Sequence, residues 1–313
     1  MQNTICASIL IACSVASAEP AWQWRQEGNR SLELRGPNGP VARFLIDPKP
    51  ADPHFDLLAT TDGRNLVWVA PPDHAWHYGQ WFSWKLINGV NFWETDQATG
   101  QSPGRSEVLE PRIETGPDQA TVSYRCLCRL PSDDQPILDD RITVSIRSPA
   151  TVGGPDQPAS PPSRPLMVDW SFTTTALADV KLDRTPLPGE PGGVDHGGYG
   201  GLSWRGAKDF KELTFLDSEG RKNMDIHRQH ARWVDVRGNL AGKPAGITIL
   251  DHPANPGHPM SWFIVARPDL PFWYLNPAIV QPKPIDLKKG QSLTHRYRIL
   301  VHDGSLDPAT INW

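Results

Sequence analysis

"TVSYRCLCRL", from Thr121 to Leu130, sets Val122, Tyr124, Cys126 and Cys128 against Thr121, Ser123, Arg125 and Arg129 in near-strict alternation. Successive side chains of an extended chain point to opposite faces, so the stretch predicts a strand with one face buried. The pattern recurs. Ile142, Val144 and Ile146 alternate with Arg141, Thr143, Ser145 and Arg147, and Leu293, His295, Tyr297, Ile299 and Val301 alternate with Thr294, Arg296, Arg298 and His302. Further short strands are expected at Ser31–Arg35, Val41–Ile46, Phe55–Ala59, Asn65–Ala70, Met167–Thr175, Glu212–Asp217, Arg232–Val236, Gly246–Asp251 and Ser261–Arg267. Many short strands separated by turns, in a chain whose 32 prolines and 26 glycines work against helices, predict an all-β fold, a large antiparallel β-sandwich. Only Trp81–Ile87 admits a short helix or turn.

The first residues read as a leader. Ile5–Val15 is apolar but too short to span a bilayer, and Ala16-Ser17-Ala18 suits cleavage before Glu19, so residues 1–18 are expected to be a signal peptide. That predicts a periplasmic or secreted protein. Leu10-Ile11-Ala12-Cys13 also reads as a lipobox that would anchor the chain through Cys13. Residues 19–313 are then expected to form one domain, interrupted by a Pro/Gly-rich insertion over 148–165 with little to bury. No later apolar run reaches the roughly 18–20 residues of a membrane helix. With a net charge of −4 and no basic stripe, no nucleic-acid partner is expected. Cys126 and Cys128 share one strand face two residues apart, a poor geometry for bridging each other, and read as small buried hydrophobes.

Chemistry concentrates in three blocks. "PPDHAWHYGQWFSWKLINGVNFWE" (Pro71–Glu94) crowds Trp76, Trp81, Trp84, Trp93, His74 and His77 before Glu94. The spacing of His74 and His77 suits acid–base or hydroxyl-binding roles and leaves room for a divalent metal, although no third ligand is in view. Beside so much apolar surface, the Glu94 carboxyl is expected to have a raised pKa. "GGYGGLSWRG" (Gly197–Gly206) adds Tyr199 and the fork-shaped cation Arg205 among glycines that let a backbone approach a ligand. "DHPANPGHPMSWF" (Asp251–Phe263), with "PFWYLNPAI" behind it, adds His252, His258, Tyr274 and Asn276. Flat apolar rings beside short polar groups match a sugar, whose C–H faces stack on aromatics while its hydroxyls require donors and acceptors. The expected ligand is therefore a small carbohydrate or glycoside. His74, His77, Glu94 and His252 are the expected proton-transfer residues, with Trp81, Trp84, Tyr199, Arg205, His258 and Asn276 binding substrate; no metal or other cofactor is assigned.

Together "DHAWHYGQWFSWKLINGVNFWE", "GGYGGLSWR" and "HPANPGHPMSWFIVARPDLPFWYLNPAI" with "LTHRYRILVHDG" resemble the PmoA-like family, bacterial proteins of unknown function often labelled "methane oxygenase PmoA". The resemblance implies a relative of the galactose mutarotase-like β-supersandwich, with a sugar site on the concave face of a large sheet built from His74, His77, Arg205, His252 and Asn276. Tyr78 and Gln80 depart from the family pattern, where a basic and an apolar residue are common. Three functions stand open: a carbohydrate-active enzyme working by hydrolysis, β-elimination or epimerisation, a non-catalytic carbohydrate-binding protein, and the metal-dependent oxidoreductase suggested by the label.

Overall fold

A computed structural model of the chain describes residues 22–49, 52–96, 99–149, 165–304 and 306–313. The expected leader with Cys13, and most of the 148–165 insertion, lie outside the described residues.

The described residues form twenty strands, and their only helical segments are two 3₁₀ turns, Asn223–Ile226 and Pro308–Thr310. The first seven strands are β1 (Gln23–Glu27), β2 (Ser31–Gly36), β3 (Gly39–Leu45), β4 (His54–Leu58), β5 (Gln80–Ser83), β6 (Leu86–Ile87) and β7 (Val90–Asn91). Next come β8 (Arg105–Thr115), β9 (Gln119–Arg129), β10 (Pro136–Arg147), β11 (Leu166–Ala176), β12 (Val180–Asp183), β13 (Gly201–Arg205) and β14 (Phe210–Asp217). The last six are β15 (Trp233–Leu240), β16 (Lys243–Asp251), β17 (Trp262–Arg267), β18 (Phe272–Pro277), β19 (Ile285–Leu287) and β20 (Ser292–His302). One eight-stranded sheet runs β1-β2-β3-β4-β5-β13-β18-β17, a second runs β14-β15-β16-β20-β11-β10-β9-β8, and β19-β12-β6-β7 make a small third. Neighbours pair antiparallel, as in β9 with β10 and β11 with β20.

The two large sheets face one another across a single apolar core. β11 shows why. Leu166, Val168, Trp170, Phe172, Thr174 and Ala176 point inward, and Met167, Asp169, Ser171, Thr173 and Thr175 do not. Trp170 meets Phe44 and Phe55 of the opposite sheet, and Phe172 meets Phe82 with ring centroids 4.1 Å apart. The sandwich expected from the alternation is thus present, and Cys126 and Cys128 are unpaired on β9. Asn65–Ala70 does not pair as a strand and makes only isolated bridges, such as Val67 with Gly206. The stretch from Trp81 is extended, forming β5 and β6 instead of a helical turn.

Around β5, β13 and β18 both faces of the first sheet are covered. On β13, Leu202 and Trp204 enter the intersheet core while Ser203 and Arg205 face outward; on β18, Leu275 points in and Tyr274 and Asn276 out. The outward side chains underlie a second aromatic cluster of Tyr78, Trp81, Trp93, Phe263 and Tyr274, roofed by the 69–79 and 184–200 loops.

Two of the polar groups in the intersheet core are out of balance with it. Gln80, fully buried opposite Phe55 and Trp204, has no partner for either amide atom among the described residues. A buried amide without partners costs about 1–3 kcal/mol, so Gln80→Leu is expected to raise stability by about 1–2 kcal/mol, read as a higher urea midpoint at unchanged slope. Asp140 of β10, 2 % exposed, accepts hydrogen bonds from Thr174 Oγ1 and from Trp84 Nε1 at 3.2 Å. Burial pushes its carboxyl up to about 7 against those two bonds, and Asp139 nearby adds to the rise.

Candidate functional site

The 69–79 loop returns over the outer face through a bridge between Val69 and Tyr78 and hydrogen bonds from Ala70 N to His77 O and from His77 N to His74 O. This fold-back stacks the two imidazoles, with centroids 4.5 Å apart and planes inclined by 26°. Face-to-face stacking turns their nitrogens to the sides instead of onto one point. Among the described residues no three His, Cys, Asp or Glu side chains are arranged to hold a metal.

Each imidazole has its own setting. His74 Nδ1 lies 2.9 Å from Asp73 Oδ2. An ionised carboxylate can only accept, so Nδ1 carries a hydrogen, and in the neutral ring Nε2 is the acceptor. Asp73 is held in turn by Arg205, whose Nη2 donates to both carboxylate oxygens at 3.0 and 2.7 Å. Burial would raise the Asp73 carboxyl, but the bonds from His74 and Arg205 bring it below the usual range. Arg205 itself is fully buried, its guanidinium 3.8 Å from the Phe272 ring centroid and 5.3 Å from that of Trp68. His77 is 5 % exposed and stacks on Tyr274, with no partner for Nδ1 among the described residues. Its pKa is driven well below the ordinary imidazole value by burial first, then by His74 and Arg205. His77 is therefore neutral at pH 7.

The two histidines open on a cleft of about 90 Å³, whose other walls are His196, Tyr199, Phe263, Val265, Phe272 and Tyr274. That is well under the roughly 300–1,000 Å³ of a pocket engulfing a drug-sized ligand, so the cleft receives one small unit. Tyr199 donates to Glu94 Oε1 at 2.6 Å, and Glu94 also bonds the Lys85 ammonium and Asn91 Nδ2.

Of the residues expected from the sequence, His74, His77 and Tyr199 line this cleft. Arg205 and Glu94 stand behind it as partners of Asp73 and Tyr199. The expected rise at Glu94 is corrected: burial does act upward, but the charge and hydrogen bond of Lys85, with Tyr199 and Asn91, leave its carboxyl below the usual range. Trp81, 1 % exposed, is floor beneath His77. Asn276 is fully buried, and its Nδ2 donates to Leu202 O at 2.6 Å, tying β18 to β13. Trp84 does not reach the outer face, because it lies three residues after Trp81 and falls on the core side against Phe82 and Phe172. His252 and His258 belong to the other sheet, on the turn after β16. There His258 Nδ1 lies 2.6 Å from Asp251 Oδ2, and His252 packs edge-on against Trp313. No hydrogen bond, ion pair or ring contact among the described residues joins them to the cleft. The glycines of the 197–201 loop serve packing: a Cβ on Gly197 would fall 2.0 Å from Pro186 O.

Asp73, Phe272 and Lys85 escaped the sequence reading. For Asp73 there was a signal, a carboxylate immediately before His74.

Residues 31–313 match a family described as "Family of unknown function (DUF6807)". The chain belongs to the DUF6807 family. That family's description names no activity. No curated protein matches the sequence. Among solved structures this DUF6807 chain is similar to a mutant of the heparan sulfate lyase HepC from Pedobacter heparinus, with 11 % identity and a TM-score of 0.40, covering 88 % of this chain and 34 % of the lyase. The chain thus spans about a third of that protein's length. It is also similar to a galactose mutarotase related enzyme from Lactobacillus acidophilus, with 8 % identity, a TM-score of 0.32 and coverage of 91 % and 100 %. Among the described residues of this DUF6807 chain, no helix is long and apolar enough to cross a membrane.

Proposed function

We propose that the chain is an exported carbohydrate-active enzyme that holds one sugar unit in the His74–His77 cleft and moves a proton on it. The observation that carries this reading is the Asp73-oriented His74 stacked on the neutral His77 inside aromatic walls. The rings of Phe272, Tyr274 and Tyr199 offer apolar faces, while His74 Nε2 and His196 offer polar edges. Export is supported by the leader-like pattern of residues 1–18.

The carboxylates narrow the reaction. Hydrolysis by the usual pair requires one carboxylic acid that stays protonated near neutrality. Asp73 and Glu94, the carboxylates behind the cleft, are both held below the usual range by their cations and hydrogen bonds. Neither serves as that acid. The imidazoles are the groups suited to take and return a proton. This favours proton abstraction from a sugar carbon next to a carbonyl or carboxyl, followed by return of the proton (epimerisation) or loss of the oxygen on the adjacent carbon (β-elimination).

The test is incubation with aldoses, ketoses, uronic acids and their glycosides in D₂O, followed by NMR. Deuterium entering a sugar carbon, or an unsaturated product, is the expected result. Binding in calorimetry without exchange or product would favour the binding-protein reading, and neither binding nor turnover would remove the carbohydrate.

A further inference from the structure

The outer face carries a second hollow that this chemistry leaves unused. It holds about 670 Å³ and is lined in part by His54, Asp56, Asn65, Trp68 and Tyr78. That volume is in the range of ligand pockets.

His54 is 2 % exposed, and its Nδ1 lies 2.7 Å from Asp52 O. A carbonyl can only accept, so Nδ1 bears the hydrogen and Nε2 is left as an acceptor with no hydrogen bond among the described residues, on a ring that lines the hollow. Tyr78 stacks on the His54 ring at 5.4 Å. Its hydroxyl makes no hydrogen bond among the described residues, and burial, then Asp52, push its pKa up to about 12, so it stays a neutral donor. Trp68 supplies an indole face. The charge in the hollow is already answered, since Arg43 binds the Asp56 carboxylate through Nε at 2.9 Å and Nη2 at 2.7 Å. An acceptor, a neutral donor and a flat ring without free charge suit an uncharged polyhydroxylated ring.

The two hollows are neighbours. The Arg205 guanidinium packs between Phe272, a wall of the first, and Trp68, a wall of the second. His77 and Tyr78 are consecutive residues, one lining each. We propose that they are adjacent subsites for one extended ligand. The substrate is then an oligosaccharide, with the reacting unit against His74 and His77 and the next unit stacked on Trp68. This rests on the saccharide reading above.

The experiment is calorimetry with glucose, galactose, xylose, N-acetylglucosamine and glucuronate, each beside its linear tetrasaccharides in α and β linkage. Covering roughly 60 Å² of apolar surface is worth about tenfold in affinity, so one tetrasaccharide is expected to bind at least that much tighter than its monosaccharide. Trp68→Leu should cancel the gain while monosaccharide affinity holds within about twofold, and Tyr78→Phe, which keeps the ring, should lose part of it. Equal binding of short and long ligands, or the same loss on both in Trp68→Leu, would overturn the second subsite and leave the first cleft's chemistry standing. No binding by any sugar would remove the saccharide reading, and the subsite with it.

Discussion

His74→Ala is expected to lower turnover by about 10²–10⁴-fold while leaving sugar affinity nearly unchanged, because a positioned acid–base group acts mainly in the transition state. The imidazole is half-buried at the edge of the cleft, so its removal leaves no large void. Asp73→Asn separates orientation from proton transfer. An amide that presents its N–H to His74 Nδ1 would favour the opposite tautomer, placing the hydrogen on Nε2 where the lone pair is needed. It also leaves the buried Arg205 without its carboxylate. A fall in kcat of similar order with KM little changed is therefore expected from Asp73→Asn. If His74→Ala raises KM and spares kcat, the residue binds ligand and does no proton transfer.

Asp140→Asn is expected to stabilise the protein in a strongly pH-dependent way. The Asp140 carboxyl stands at about 7 when folded against 3.8 ordinarily. Below pH 4 both folded and unfolded chains carry the proton, and the shift has no effect. As pH rises toward 7 the unfolded chain releases its proton while the folded chain keeps it, so stability falls. Above 7 the folded carboxyl must ionise in the core, and the full difference, on the order of 4 kcal/mol, is lost. Asparagine has no such proton. It keeps a carbonyl oxygen for Trp84 Nε1–H, and the Thr174 hydroxyl can turn to accept from the amide. Variant and wild type are thus expected to unfold alike in urea near pH 4, and at pH 8 the variant should be ahead by a few kcal/mol. Comparing the two proteins cancels the opposite trend of His295, which burial holds at about 4 and which costs stability as pH falls below 6.5. A difference that does not change with pH would show that Asp140 is ionised throughout.

The strands around Thr121–Leu130, Arg141–Arg147 and Leu293–His302 could be read from the sequence because each buries one face and leaves the other half-open. β8, on an edge with mostly exposed side chains, has no such rhythm and was missed. β5 and β13 fail for the opposite reason: buried throughout, their residues show aromatic crowding without contrast. Crowding reveals that a segment matters but not which way each ring points. Hence Trp81 and Trp84 read alike and lie on opposite sides. Residue type also located His74, His77, Tyr199 and Arg205, although nothing in the chain announces that positions 73 and 205 meet. His252 and His258 share the same vocabulary, yet composition carries no information about sheet membership. Lys85, nine residues before Glu94, reverses a shift that local apolar surroundings alone would predict.

The sheet beneath the cleft divides its labour by parity. On β5 and β13 the odd-numbered positions Trp81, Ser203 and Arg205 face the outer layer, and the even-numbered Phe82, Leu202 and Trp204 face the core; β18 inverts the numbering with Tyr274 and Asn276 outward. The outward class thus builds the layer on which the cleft rests, while the other class keeps the two sheets together. A one-residue deletion within β13 would swap the classes and forfeit both.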